Sequence, residues 1–95
     1  MRLIWTEDAM NDYHHNIDFL LERWTTRIAQ EFIEQVEDIL ELIAIFPEMY
    51  PLSNYKSVRK VVIRKQISLF YKIDGENILL LRFWNNYQNP RKLKF

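Results

Sequence analysis

The side chains best suited to chemistry gather at the end of this sequence, in FWNNYQNPRKLKF, Phe83 to Phe95. A phenol (Tyr87), amides (Asn85 and Asn89) and three cations (Arg91, Lys92 and Lys94) lie close together there. Groups of these types can move protons and stabilise charge on a phosphate. They suit an acidic protein segment equally well. A second basic group precedes them. If VRKVVIR is a strand, Lys60, Val62 and Arg64 share one face and Arg59, Val61 and Ile63 the other. In ISLFYKI, Ser68, Phe70 and Lys72 oppose Ile67, Leu69, Tyr71 and Ile73, and the second set reads as the core face. Lys60, Arg64 and Lys72 then make a basic patch facing away from the core, interleaved with aromatic rings. That combination fits a phosphate backbone or exposed bases. Lysines on an edge strand also serve simply to block aggregation.

The first half is poor in such signals. His14 and His15 are adjacent, so on a helix they point about 100° apart and do not share a metal. His14 with Asp18 has a ligand-like spacing, but two ligands from one turn make a weak site. Glu34, Asp38 and Glu41 read as a solvated acidic helix face. One glycine cannot build a phosphate loop, and Ser53, Ser57 and Ser68 lack a nucleophile context. No metal and no cofactor is expected.

The charge is divided along the chain. Residues 1–50 hold eleven acids and three bases, net −8, whereas residues 51–95 hold ten bases and two acids, net +8. Such a division implies a basic surface built by the second half, unless the halves neutralise each other within the fold. The chain has 95 residues, is 48% apolar and has no cysteine, so one small domain over residues 1–95 without disulfides is expected. MRLIWTEDAM does not read as a signal peptide. No stretch reaches the roughly 18 apolar residues of a spanning helix. A cytoplasmic location and no membrane partner follow as expectations.

These groups need elements to position them. RLIW reads as a short strand. Thr6, followed by Glu7 and Asp8, reads as a helix start. Ala9, Tyr13, Ile17, Leu20 and Trp24 then form one apolar face. That helix is expected to stop near Arg23 or Trp24, with Thr25 and Thr26 offering a new cap. Ile28, Ala29, Phe32, Ile33, Val36, Leu40 and Ile43 mark a second helix, ended by Pro47. The short joint implies an antiparallel helical hairpin. EMYPLSNYKS reads as a loop. VRKVVIR, ISLFYKI and NILLLRFW follow as strands joined by KQ and by DGE around Gly75. The expected fold is α+β in two layers, ordered β-α-α-β-β-β, with the hairpin packed on a mainly antiparallel four-stranded sheet.

The order and spacing of four phrases resemble the RelE/ParE superfamily of toxins from bacterial type II toxin–antitoxin pairs. The phrases are WTEDAMNDYHHNIDFLLERW, AQEFIEQVEDILELIAIFPEM, VRKVVIRKQISLFYKI and ILLLRFWNNYQNPRKL. The resemblance spans nearly the whole chain. It implies one of two activities. RelE-like members cut ribosome-bound messenger RNA without a metal, and ParE-like members poison DNA gyrase. Both are neutralised by an antitoxin that wraps the toxin. In RelE-like sequences an arginine opens the second hairpin strand and acts at the phosphate, whereas here Ser68 holds that place. The tail, with Arg82 in the last strand and then Asn89 and Arg91 before Leu93, is closer to the ParE pattern, as are ERW and FPEM.

The ParE-like reading implies a growth-arresting, plasmid-stabilising toxin that is not an enzyme, with Arg82, Asn85, Tyr87, Asn89, Arg91 and Lys92 at the target. The nuclease alternative implies a divergent site drawn from Arg64, Tyr87, Arg91 and Lys92. A non-toxic partner-binding module is the third reading. The antitoxin is expected on Phe19, Leu21 and Ile39, with Lys60, Arg64 and Lys72 pairing its acids. Phe95 is expected to dock on a partner or on the chain's own helices.

Overall fold

The computed structural model describes residues 1–95. The chain runs β1 (Arg2–Trp5), α1 (Glu7–Arg23), α2 (Thr26–Ile45), β2 (Val58–Arg64), β3 (Ile67–Asp74), β4 (Asn77–Asn85) and a short 3-10 helix at Pro90–Lys92. The expected order of elements is the observed one.

Local chemistry accounts for the helix ends. Thr6 Oγ1 accepts the Ala9 N–H at 3.1 Å, and Glu7 and Asp8 fill the first turn of α1, where negative charge suits the helix dipole. The same hydroxyl donates to the Leu80 carbonyl at 2.7 Å, so this cap also fastens the helix to β4. Thr25 starts α2 by accepting the Ile28 N–H at 3.1 Å. Trp24 does not complete the apolar face of α1 and is 59% exposed. It is the helix C-cap, with φ −129° and ψ −130°, so the helical period no longer directs its side chain.

The core lies between the layers. Ala9 and Leu20 of α1 and Phe32, Val36, Leu40 and Ile43 of α2 pack on Val61, Leu69, Tyr71, Ile78, Leu80 and Phe83. The sheet order is β1-β4-β3-β2. β2, β3 and β4 form the antiparallel meander. β1 lies parallel to β4, with Leu3 opposite Ile78, so the sheet is mixed.

Two bulges reset which way the functional side chains point. In β4, Phe70 faces Arg82 but Tyr71 faces Leu80, leaving Leu81 as the extra residue. The extra residue reverses the alternation. Leu80 and Phe83 therefore both enter the core, and Trp84 joins Val58 and Phe70 in a smaller cluster on the outer face. In β2 the register shifts between Val62 and Arg64. Simple alternation puts Arg64 beside Lys60, but the bulge turns it to the helix layer. There its Nη1 donates to Glu31 at 3.3 Å and to Gln35 at 3.4 Å. The outer basic patch thus keeps Lys60 and Lys72 and loses Arg64.

Candidate functional site

The outer face of the sheet and the chain that follows β4 form one surface. A cleft of about 410 Å³ opens there between Tyr55, Lys60, Phe70, Trp84, Asn86 and Leu93. Lys60 Nζ stands 5.7 Å from the centre of the Phe70 ring. Residues after β4 return across this face. Asn89 caps the 3-10 helix through the Arg91 N–H at 3.0 Å. Leu93 packs against the Val58–Phe70–Trp84 cluster. Phe95 sets its ring 4.7 Å from Tyr55 and 5.4 Å from Phe70, so it docks on the sheet and not on the helices.

A second group of contacts borders this surface. β1 reaches only as far as Trp5 opposite Leu80, so the rest of β4 has an open edge. Buried backbone groups require partners, and α1 supplies them. Asp12 accepts the Phe83 N–H at 3.1 Å, and Asn16 Nδ2 donates to the Phe83 carbonyl at 3.0 Å. Asp12 also takes Arg82 in a two-point grip, Nε at 2.6 Å and Nη2 at 3.0 Å. Both side chains are 15% exposed. The hydrogen bonds to Asp12 hold the Arg82 pKa above its ordinary value, against the opposing effect of burial. Arg82 Nη1 then donates to the Lys94 carbonyl at 3.0 Å. Its guanidinium carbon lies 5.2 Å from the Trp84 ring centre. Reading the sequence missed Asp12 and Asn16. The available signal was two polar residues one turn apart, flanking the apolar face of α1.

The remaining candidates are scattered around this framework. Asn85 is buried and accepts the Tyr87 N–H at 3.0 Å through Oδ1. Tyr87 is 64% exposed. Its hydroxyl accepts from Gln66 Nε2 at 2.9 Å, and its ring lies 5.8 Å from Phe19. Arg91 and Lys92 are exposed in the arm. Phe19 and Ile39 are partly buried against the core, and Leu21 is exposed. Lys72 is exposed on the outer face, across from Val58. Ser68 lies between Val62 and Trp84 in neighbouring strands. It is 1% exposed, and its hydroxyl has no hydrogen-bond partner. No three His, Asp or Glu side chains lie close enough to hold a metal ion. No helix is long and apolar enough to cross a membrane.

The two-layer fold, with a helical hairpin on one face of a mixed four-stranded sheet, is that of RelE/ParE superfamily toxins. It is shared by the chromosomal ParDE TA system from P. aeruginosa, at TM-score 0.67 and 22% identity, over 90% of this chain and 95% of that one. The YoeB dimer from Staphylococcus aureus matches at TM-score 0.62 and 13% identity, over 87% of this chain and 93% of that one. At these identities the likeness is one of fold. The family assignment comes from the sequence. Residues 3–90 match the family described as ParE toxin of type II toxin-antitoxin system, parDE, and the chain belongs to that family. Comparison with curated proteins found no match.

Proposed function

We propose that residues 1–95 act as one cytoplasmic toxin domain that inhibits DNA gyrase and is neutralised by a cognate antitoxin. Family membership supports the toxin role. The observation that most favours a non-nucleolytic mechanism is Ser68. The resemblance to RelE-like nucleases requires a cation there, and this chain has a neutral, buried hydroxyl. Arg82 and Arg64 are no substitutes, since each is committed to an acid of the helical layer. The free cations near the cleft are Lys60 on the sheet and Arg91, Lys92 and Lys94 on the arm, a set suited to holding an anionic surface.

The antitoxin in this proposal spans both layers. Phe19 and Leu21, with exposed Trp24, offer apolar contact on the helical hairpin. Lys60 and Lys72 lie on the opposite face, so an apolar–acidic segment must wrap the edge of the molecule to reach both. Arg64 can join only by exchanging Glu31 for an acid of the partner.

The test is purified toxin in a supercoiling assay. Inhibition of gyrase is expected, together with growth arrest on expression and relief by the antitoxin. A chain ending at Asn89 should lose inhibition and keep antitoxin binding. Unaffected supercoiling at excess toxin rejects the gyrase target. Ribosome-dependent mRNA cleavage is the second reading, favoured by the exposed Tyr87 phenol beside Gln66. It requires codon-positioned cuts that disappear in Tyr87→Phe or Arg91→Ala. Normal growth without any antitoxin points instead to a non-toxic binding module.

A further inference from the structure

The C-terminal arm is held to the body of the protein at a single polar point. Within the arm, Lys92 N–H bonds to the Asn89 carbonyl at 2.9 Å and Leu93 N–H to that of Pro90 at 3.2 Å, so both bonds are local. The hydrogen bond joining residues 90–95 to the rest of the chain is Arg82 Nη1 to the Lys94 carbonyl, 3.0 Å. The apolar contact is partial, because Leu93 is only partly buried and Phe95 is 48% exposed. A segment with so few buried contacts can open without unfolding the domain. Arg82 is itself well fixed. Asp12 grips Nε and Nη2, Trp84 lies alongside, and the bulge at Leu81 sets the direction of the side chain. The sequence Asp12, Arg82, Lys94 therefore joins α1, β4 and the arm.

We propose that Arg82, oriented by Asp12, is a positioning residue that latches the arm over the outer sheet face. Closed, the latch covers Phe70 and Trp84 and holds Arg91, Lys92 and Lys94 in a set place. Open, it uncovers the aromatic face and frees the basic arm. The consequence for the target rests on the proposal that this face and arm engage gyrase, whereas the latch does not.

Arg82→Lys keeps the positive charge but loses the two-point grip and the reach to Lys94. In the full chain, nuclear Overhauser contacts from Phe95 to Tyr55 and Phe70 report the closed arm, and tryptic cleavage after Lys92 reports the open one. Arg82→Lys is expected to abolish those contacts and to quicken cleavage at least tenfold, with the ring signals of Phe32 and Phe83 still folded. Wild-type contacts and cleavage in a folded Arg82→Lys chain overturn the latch. A second measurement leaves Arg82 intact. Ending the chain at Leu93 should speed exchange of the Arg82 Nη1 protons while the Nε proton, held by Asp12, is unchanged. Equal Nη1 exchange in the two chains also overturns the proposal. Neither readout involves gyrase, so failure of the gyrase assay and failure of the latch are separate results. Where wild-type toxin inhibits gyrase, unaltered inhibition by a folded Arg82→Lys chain with a released arm overturns the positioning role.

Discussion

Ser68 and Tyr71 occupy the same strand and face opposite demands. Tyr71 is fully buried, and its hydroxyl donates to the Pro47 carbonyl at 2.8 Å. Ser68 is buried with no partner at all. An unpaired buried hydroxyl costs free energy that an apolar atom does not. Ser68→Ala is therefore expected to leave stability unchanged or raise it by up to about 1 kcal/mol in urea unfolding. A loss of more than about 1 kcal/mol would show that the hydroxyl has a partner. Burial, more than any nearby charge, pushes the Tyr71 pKa above its ordinary 10.0, although Arg59 pulls it down. The unfolded phenol thus loses its proton first. Stability is intact below pH 10 and falls as pH rises through the folded pKa. Removing the group with Tyr71→Phe is expected to flatten that alkaline slope. It should also cost about 1 kcal/mol at neutral pH for the lost hydrogen bond, read from unfolding curves at a series of pH values.

At the scale of elements, the two helix caps look alike in sequence but differ in what they hold. Thr25 serves only Ile28, at an exposed turn. Thr6 serves Ala9 and also bonds the Leu80 carbonyl, where β1 gives way to α1. Thr25→Ala is expected to cost about 0.5–1 kcal/mol and Thr6→Ala about 2 kcal/mol. Equal losses in matched urea titrations would mean that the bond to β4 adds nothing. The bulges matter at the same scale. Were β4 regular, with Leu81 in the ladder and no bulge, alternation from Leu80 would turn Arg82 into the core and Phe83 out of it. With the bulge, the guanidinium reaches both Asp12 and the arm. Thr6, Asp12 and Asn16 then complete the hydrogen bonding of β4 past the end of β1.

Over the whole molecule the divided charge is largely preserved. Only Arg64–Glu31 and Arg82–Asp12 pair the basic half with the acidic half. Arg59 is spent on the carbonyls of Glu48 and Tyr50. Lys56, Lys60, Lys65, Lys72, Arg91, Lys92 and Lys94 are all exposed and unpaired, so the second half keeps a basic surface. Affinity for an acidic antitoxin segment is expected to fall steeply with added salt. Lys60→Glu with Lys72→Glu should weaken that binding at least tenfold and flatten its salt dependence. Both positions are exposed, so folding stability should move by only about 0.5 kcal/mol per substitution. Binding insensitive to salt and to both changes would place the antitoxin elsewhere.

Local signals determined the helices, their threonine caps, the meander strands and the two-layer order. Each depends on periodicity or on a few neighbouring residues: Thr6 before Glu7 and Asp8, Pro47 after α2, and Gly75 at φ +60° in the hairpin turn. Such features are written within a turn or a strand of sequence. The ParE family resemblance was also legible, because it lies in the order of four phrases and not in one motif. Tertiary structure alone decided the rest. It placed the four-residue β1 beside β4, because a strand that short carries no mark of its partner. It reversed Arg64 and decided that Phe83, not Trp84, faces the core, because one inserted residue inverts a period of two. It joined Asp12 to Arg82 across 70 positions. That pairing answers to the unmet backbone of β4, an edge that exists only once the sheet has formed.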